Sequence, residues 1–203
     1  MRRESATVVS LTGEITTSLL AALGRSGNVS VARATPEDQV EAGGRPLSGW
    51  EPGARAMREA RRRRSMFVIV PDDPLAGVAA AWSAMWEPAA GTGAPQAFEA
   101  RAAETLAAWR DKQFELPDYY LVTAPAQRDV AAPDFYLGPL HAVRPRRVAV
   151  AAAPPADVAA HAALLLDTMR SLEHGPWWPP LDELIDAVRH FYAGALAESV
   201  AVE

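Results

Sequence analysis

Hydroxyls, carboxylates and one guanidinium fall at the ends of hydrophobic runs in the amino-terminal half of the chain. Ser10, Thr12, Gly13, Glu14 and Thr16 follow a β-branched run and precede a helical pattern. They therefore sit beside the free amides of a helix N-terminus, a generic anion site. A dinucleotide fingerprint needs three glycines, so that the backbone can turn tightly, approach the diphosphate and pack the helix on the sheet. Only Gly13 is present, and Glu14 would place a negative charge beside the phosphates. The plainer reading makes Thr12 or Glu14 an ordinary N-terminal cap. Arg33 ends a second run, where a guanidinium suits a ribose 2′-phosphate or simply faces solvent. Asp72 and Asp73 end a third; paired carboxylates there bind a metal or move a proton, and Asp-Asp-Pro is equally turn and cap chemistry. Thr12, Gly13, Asp72 and Asp73 at neighbouring strand ends would line a small-molecule or phosphate pocket. The four histidines, His141, His161, His174 and His190, form no close ligand pair, so no metal site is expected. No G-x-S-x-G elbow offers a serine nucleophile.

The elements that must position these groups alternate in kind. Strand-length runs at Thr7 to Leu11, Asn28 to Ala34, Met66 to Val70, Tyr119 to Thr123 and Arg147 to Ala152 are separated by segments of helical period. Helices are predicted around Ile15 to Leu23, Ala54 to Arg64, Leu75 to Trp86, Phe98 to Trp109, Val158 to Leu172 and Leu181 to Phe191, with a short final strand at Ser199 to Val202. Trp82, Trp86 and Trp109 fall on core-facing stripes. Residues 35–53 read as an exposed loop. The prolines of segment 176–180 end a helix, and Trp177 and Trp178 between them either line a lid or subunit contact or cap the bottom of the sheet. Strands joined by helices demand a mostly parallel sheet covered on both faces. The fold class is therefore α/β, a doubly wound, Rossmann-like three-layer sandwich forming a single domain over residues 1–203.

Composition narrows the function. The 203 residues carry 25 acidic and 20 basic side chains, a net charge of −5, which gives no field for nucleic acid despite the run Arg61 to Arg64. At 49% hydrophobic the chain buries a real core. No apolar run reaches the roughly 18 residues a membrane span needs, and Met1 to Glu4 lead into a strand rather than a signal core, so a cytoplasmic location is expected. The absence of cysteine removes disulfides, thiol nucleophiles and thiolate metal sites.

The order of landmarks resembles the short-chain dehydrogenase/reductase family. Thr12-Gly13 matches the start of its T-G-x-x-x-G-x-G turn, with Thr17 and Leu19 where the later glycines belong; Arg33 stands at its cofactor-selecting position; Pro71 to Pro74 replace N-N-A-G. Arg146 to Pro154 resembles its I-R-V-N-x-V-x-P-G strand, and Leu181 to Val202 its closing helix and strand. The family's catalytic serine and tyrosine are 13 residues apart, as are Thr123 and Tyr136 here, with Leu140 in place of its lysine. The resemblance implies Thr123 and Tyr136 as catalytic positions, Thr12, Gly13, Arg33 and Asp72 as cofactor-binding positions, NADP or NAD as cofactor, and a homo-oligomer or a related reductase subunit as partner. The lost glycines and lysine shift the expectation. Side chains at 17 and 19 fill the space of the diphosphate, and a phenol of pKa near 10 is a poor base without a neighbouring cation. The first expectation is thus a pseudoenzyme without cofactor, a binding or assembly subunit; the alternatives are an atypical NAD(P)H oxidoreductase and an unrelated phosphate- or small-molecule-binding domain.

Overall fold

The computed structural model describes residues 6–34, 49–87, 93–123, 134–151 and 157–200, the side chains of the last helix up to residue 194. Five strands, β1 (Thr7–Gly13), β2 (Val29–Val31), β3 (Phe67–Val70), β4 (Tyr119–Thr123) and β5 (Val148–Ala151), form one sheet in the order β2-β3-β1-β4-β5. All neighbours are parallel. β1 lies at the centre, buried on both faces, which is why it reads as a nearly unbroken apolar run rather than an alternation. The expected parallel α/β sandwich is observed. Its strand order differs from the 3-2-1-4-5-6 order of dinucleotide-binding sheets, because β1 is flanked by β3 and β4 and β2 is an edge.

Side-chain alternation assigns the layers. Val9, Leu11, Ile69 and Leu121 meet α1 (Thr17–Gly24) and α6 (Val158–Arg170) on one face. On the other, Val8, Val68 and Val70 meet α2 (Glu51–Ala60). Tyr120, Val122 and Val148 on that same face pack with α3 (Ala76–Ala84), α4 (Ala94–Arg110) and α7 (Leu181–Val200). Trp82 on α3 is fully buried, as its stripe predicted. Between β4 and β5 a wide π-type turn (Tyr136–Leu140) runs into the short α5 (His141–Val143) and a 3-10 turn (Pro145–Arg147). The helices after β1 and β3 leave toward opposite faces, opening the crevice beyond their carboxyl ends where ligands of such sheets bind.

Two boundaries differ from the sequence reading. Residues 51–53, expected in the loop 35–53, form the first turn of α2, because Pro52 suits a first helical position; residues 35–48 lie outside the described residues. Ser199 and Val200, expected in a final strand, end α7, whose preceding turns are rich in alanine, the best helix former. In segment 176–180, Trp178 is buried and donates its indole N–H to the Pro117 carbonyl at 2.8 Å, capping the amino end of β4. Arg147 holds this corner. Its guanidinium donates to the carbonyls of Gly175, Pro176 and Asp118 and lies 4.8 Å from the ring centres of both Tyr119 and Trp177. Trp177 stays 49% exposed.

Candidate functional site

The crevice is organised around one buried carboxylate. β3 ends at Val70, and the turn Pro71 to Pro74 carries Asp73 back over the sheet, where it is 4% exposed. The Tyr120 hydroxyl donates to its Oδ1 at 3.0 Å and the Tyr136 hydroxyl to its Oδ2 at 2.7 Å. Tyr120 reaches it because β4 alternates: Tyr119 faces α6, and Tyr120 faces the side on which Asp73 lands. Gly53 makes room for that turn, since a methyl group on it would collide with the backbone of Asp73 and Pro74.

Tyr136 reaches the carboxylate through a local defect with a simple cause. Asp134 caps the segment, its Oδ1 accepting from the amides of Tyr136 (2.8 Å) and Leu137 (3.0 Å). Pro139 has no N–H to give the Phe135 carbonyl, so Leu140 N donates to it at 3.3 Å instead, an i to i+5 bond. The helix widens by one residue rather than ending. Phe135, edge-on to Tyr136 with ring centres 5.3 Å apart, and Trp178, 5.5 Å from Tyr120, wall the cluster with rings.

This surrounding sets the protonation. Burial pushes Asp73 up to about 6, outweighing the opposite pull of hydrogen bonds from Tyr136, the Leu75 amide and Tyr120. Burial, and then the charge of Asp73, hold both phenols well above their ordinary value. A tyrosine that moves protons at neutral pH needs the reverse shift. Both oxygens of the carboxylate are occupied, by donors too weakly acidic to release a proton, so the cluster stores its protons and clamps β3, β4 and the π-type turn together.

The remaining sequence-derived residues take other places. Thr123, expected beside Tyr136, spends its hydroxyl on the Thr12 carbonyl at 2.9 Å and lies 3.4 Å from that of Glu14. Gly13 is glycine because its φ is +97° and a side chain there would strike Thr123. The cap of α1 is Thr16, whose Oγ1 accepts from Leu19 N at 3.1 Å, rather than Thr12 or Glu14. Asp72 accepts from the Ala34 amide at 3.0 Å, tying the end of β2 to the β3 turn. It turns away from Asp73, so the two do not act as a pair. Arg33 is exposed at the carboxyl end of β2, in a separate cleft. The hydroxyls of Ser10 and Thr12 are buried without a partner. Ser10 sits in the row between Val70 and Tyr120. Among the described residues no group of three or more His, Asp or Glu side chains is arranged to hold a metal ion, and no helix is long and apolar enough to cross a membrane.

Sequence reasoning missed Tyr120 and Arg147. The doubled tyrosine at the head of β4 was the available signal for the first, because neighbours on a strand must face opposite layers. Comparison of the chain with family models, with curated proteins and with solved structures finds no match.

Proposed function

We propose that this chain is a non-catalytic α/β binding domain, a Rossmann-like scaffold whose crevice groups hold the fold together instead of turning over a substrate. The observation that carries the reading is that Tyr120 and Tyr136 both donate to Asp73. The phenol an oxidoreductase of the short-chain type would use is committed to a buried carboxylate, and its pKa moves upward. A cation would move it down, and Leu140 stands where the resemblance puts one. The α1 amides that would meet a diphosphate are served in part by Thr16.

The test is hydride transfer from NADH and NADPH to a panel of carbonyl compounds, followed by nicotinamide absorbance. Parent and Tyr136→Phe should both match the buffer. Turnover in the parent that Tyr136→Phe abolishes would overturn the proposal and restore an oxidoreductase. As an assembly subunit the chain would pair with a second copy or a related reductase subunit. Sedimentation equilibrium should then show a species heavier than 21.7 kDa, and a strict monomer at high concentration that also ignores an added reductase would limit the role to ligand binding.

A further inference from the structure

Away from the Asp73 crevice, a slot of about 340 Å³ opens between α2 and residues 112–115, which lead from α4 toward β4. We infer that this slot binds a small organic carboxylate, its apolar body on the slot floor and its charged end on Lys112. The inference goes beyond the proposed function and does not need it. The crevice lies at the carboxyl edge of the sheet, whereas the slot lies at the amino edge, where Arg61 approaches Asp118 at the head of β4 (3.8 Å).

The slot is built from two elements held at a fixed width. Ala54, Met57, Arg58 and Arg61 recur at helical spacing, so one side of α2 forms the first wall. Ala54, Met57 and Phe114, none more than 5% exposed, make an apolar floor, and Trp50 stacks on Phe114 with ring centres 6.0 Å apart. Two bonds cross from α2 to the opposite wall. Arg58 Nη1 donates to the Gln113 carbonyl at 3.1 Å, and Arg61 pairs with Glu115 at 3.1 Å, which engages the carboxylate at the rim. The walls are therefore set before a ligand arrives. Water over the floor finds few hydrogen-bond partners there, so the apolar carbons of a ligand displace it with a gain. A slot of this volume falls at the small end of the range that encloses organic ligands.

Lys112 is the second, independent observation. Helix α4 ends in a Schellman motif, with Lys112 N donating to the Trp109 carbonyl and Gln113 N to the Ala108 carbonyl, both at 2.9 Å. Lys112 thereby takes the left-handed position of that motif, with φ +56°, and is the one non-glycine residue of positive φ among the described residues. Glycine adopts this conformation without cost, and lysine does not. A chain with 13 glycines nevertheless places its only lysine here, on the lining of the slot. The helix dipole does not explain the choice, because Arg110 in the last turn of α4 already answers it from an unstrained position. Backbone cost accepted at a ligand contact does explain it. The ammonium brings three donors and a compact charge to the mouth of an apolar slot, the pairing that one carboxylate on a hydrocarbon body matches.

The experiment is NMR of the full chain labelled at its methionine methyl groups, with the Met57 signal assigned by Met57→Leu, titrated with octanoate, phenylacetate and, as the uncharged control, octanol. Both acids should shift the Met57 methyl saturably, and octanol should bind at least about tenfold more weakly than octanoate. Lys112→Gly should lower octanoate affinity by about the same factor while raising the melting temperature by about 2 °C, because it removes the ligand's partner and the backbone cost together. Lys112→Gln, without the charge, should lose the same affinity, and Arg170→Ala, an exposed arginine on α6, should lose none. Octanol binding as tightly as octanoate, shifts confined to other methionines, or no shift with either acid would overturn the inference. So would full affinity in Lys112→Gly, or a lower melting temperature there, which would assign the lysine to the fold. Nicotinamide turnover lost in Tyr136→Phe would defeat the non-catalytic reading and leave the result at this slot standing.

Discussion

Two polar regions of this molecule treat their charges in opposite ways. Around Asp73 one acidic group is buried, and each of its oxygens is matched by a phenol. Around Arg33 and the outer side of α2 an open cleft is lined by arginines, with Glu59 the carboxylate among its described lining residues. The first balances its hydrogen bonds inside the protein and so serves the fold. The second keeps ion pairs at the surface, where Glu59 meets Arg62 and Arg63. The strongly perturbed ionisable groups around Asp73 are therefore also hydrogen-bonded to one another.

The largest test of the contrast removes the matched group. Asp73→Ala orphans two phenols and should lower unfolding free energy by about 4 kcal/mol, read by urea denaturation at pH 5.

Next in size is a pH effect with a definite sign. Asp73 is raised from 3.8 to about 6 in the folded chain. Its contribution is therefore fully present below the unfolded value and is lost as pH rises through about 6. Relative to the neutral isostere Asp73→Asn, the parent should lose on the order of 2 kcal/mol between pH 4 and pH 7. A constant difference across that range would mean that the carboxylate is solvated and the cluster open.

Gly53→Ala comes third. It pushes α2 off the Asp73–Pro74 backbone and should cost about 2 kcal/mol, because backbone cannot rotate out of the way as a side chain can. The same variant tests whether the two centres are linked, since α2 carries the arginines. Smallest should be Arg33→Ala/Arg62→Ala, within about 0.5 kcal/mol of the parent in urea. A larger loss would show that these arginines serve the fold after all.

Much of the architecture was legible because buried parallel strands and amphipathic helices write different periods, and β1, β3 and β4 were each read within two residues of their observed ends. The site was less so. Asp72 and Asp73 are neighbours in sequence, yet one binds the end of β2 and the other binds tyrosines 47 and 63 residues away, which no local spacing encodes. Tyr136 was named for its distance from Thr123, but the Pro139 defect aims it at Asp73 while Thr123 bonds across to β1. Gly13 looked like a phosphate glycine, and its reason is the close pass of Thr123. The basic helix was visible as a run of arginines. That it faces Arg33 follows only from β2 folding back to the sheet edge beside α2.

The most direct measurement is a titration of the tyrosine ring carbons and aspartate carboxyl carbons by NMR in the isotope-labelled chain, assigned with Tyr136→Phe and Asp73→Asn. The account predicts one carboxyl titrating near pH 6 and two phenols still protonated above pH 10. A Tyr136 phenol that ionises near neutrality, or an Asp73 carboxyl titrating in the ordinary range below 4, would contradict it.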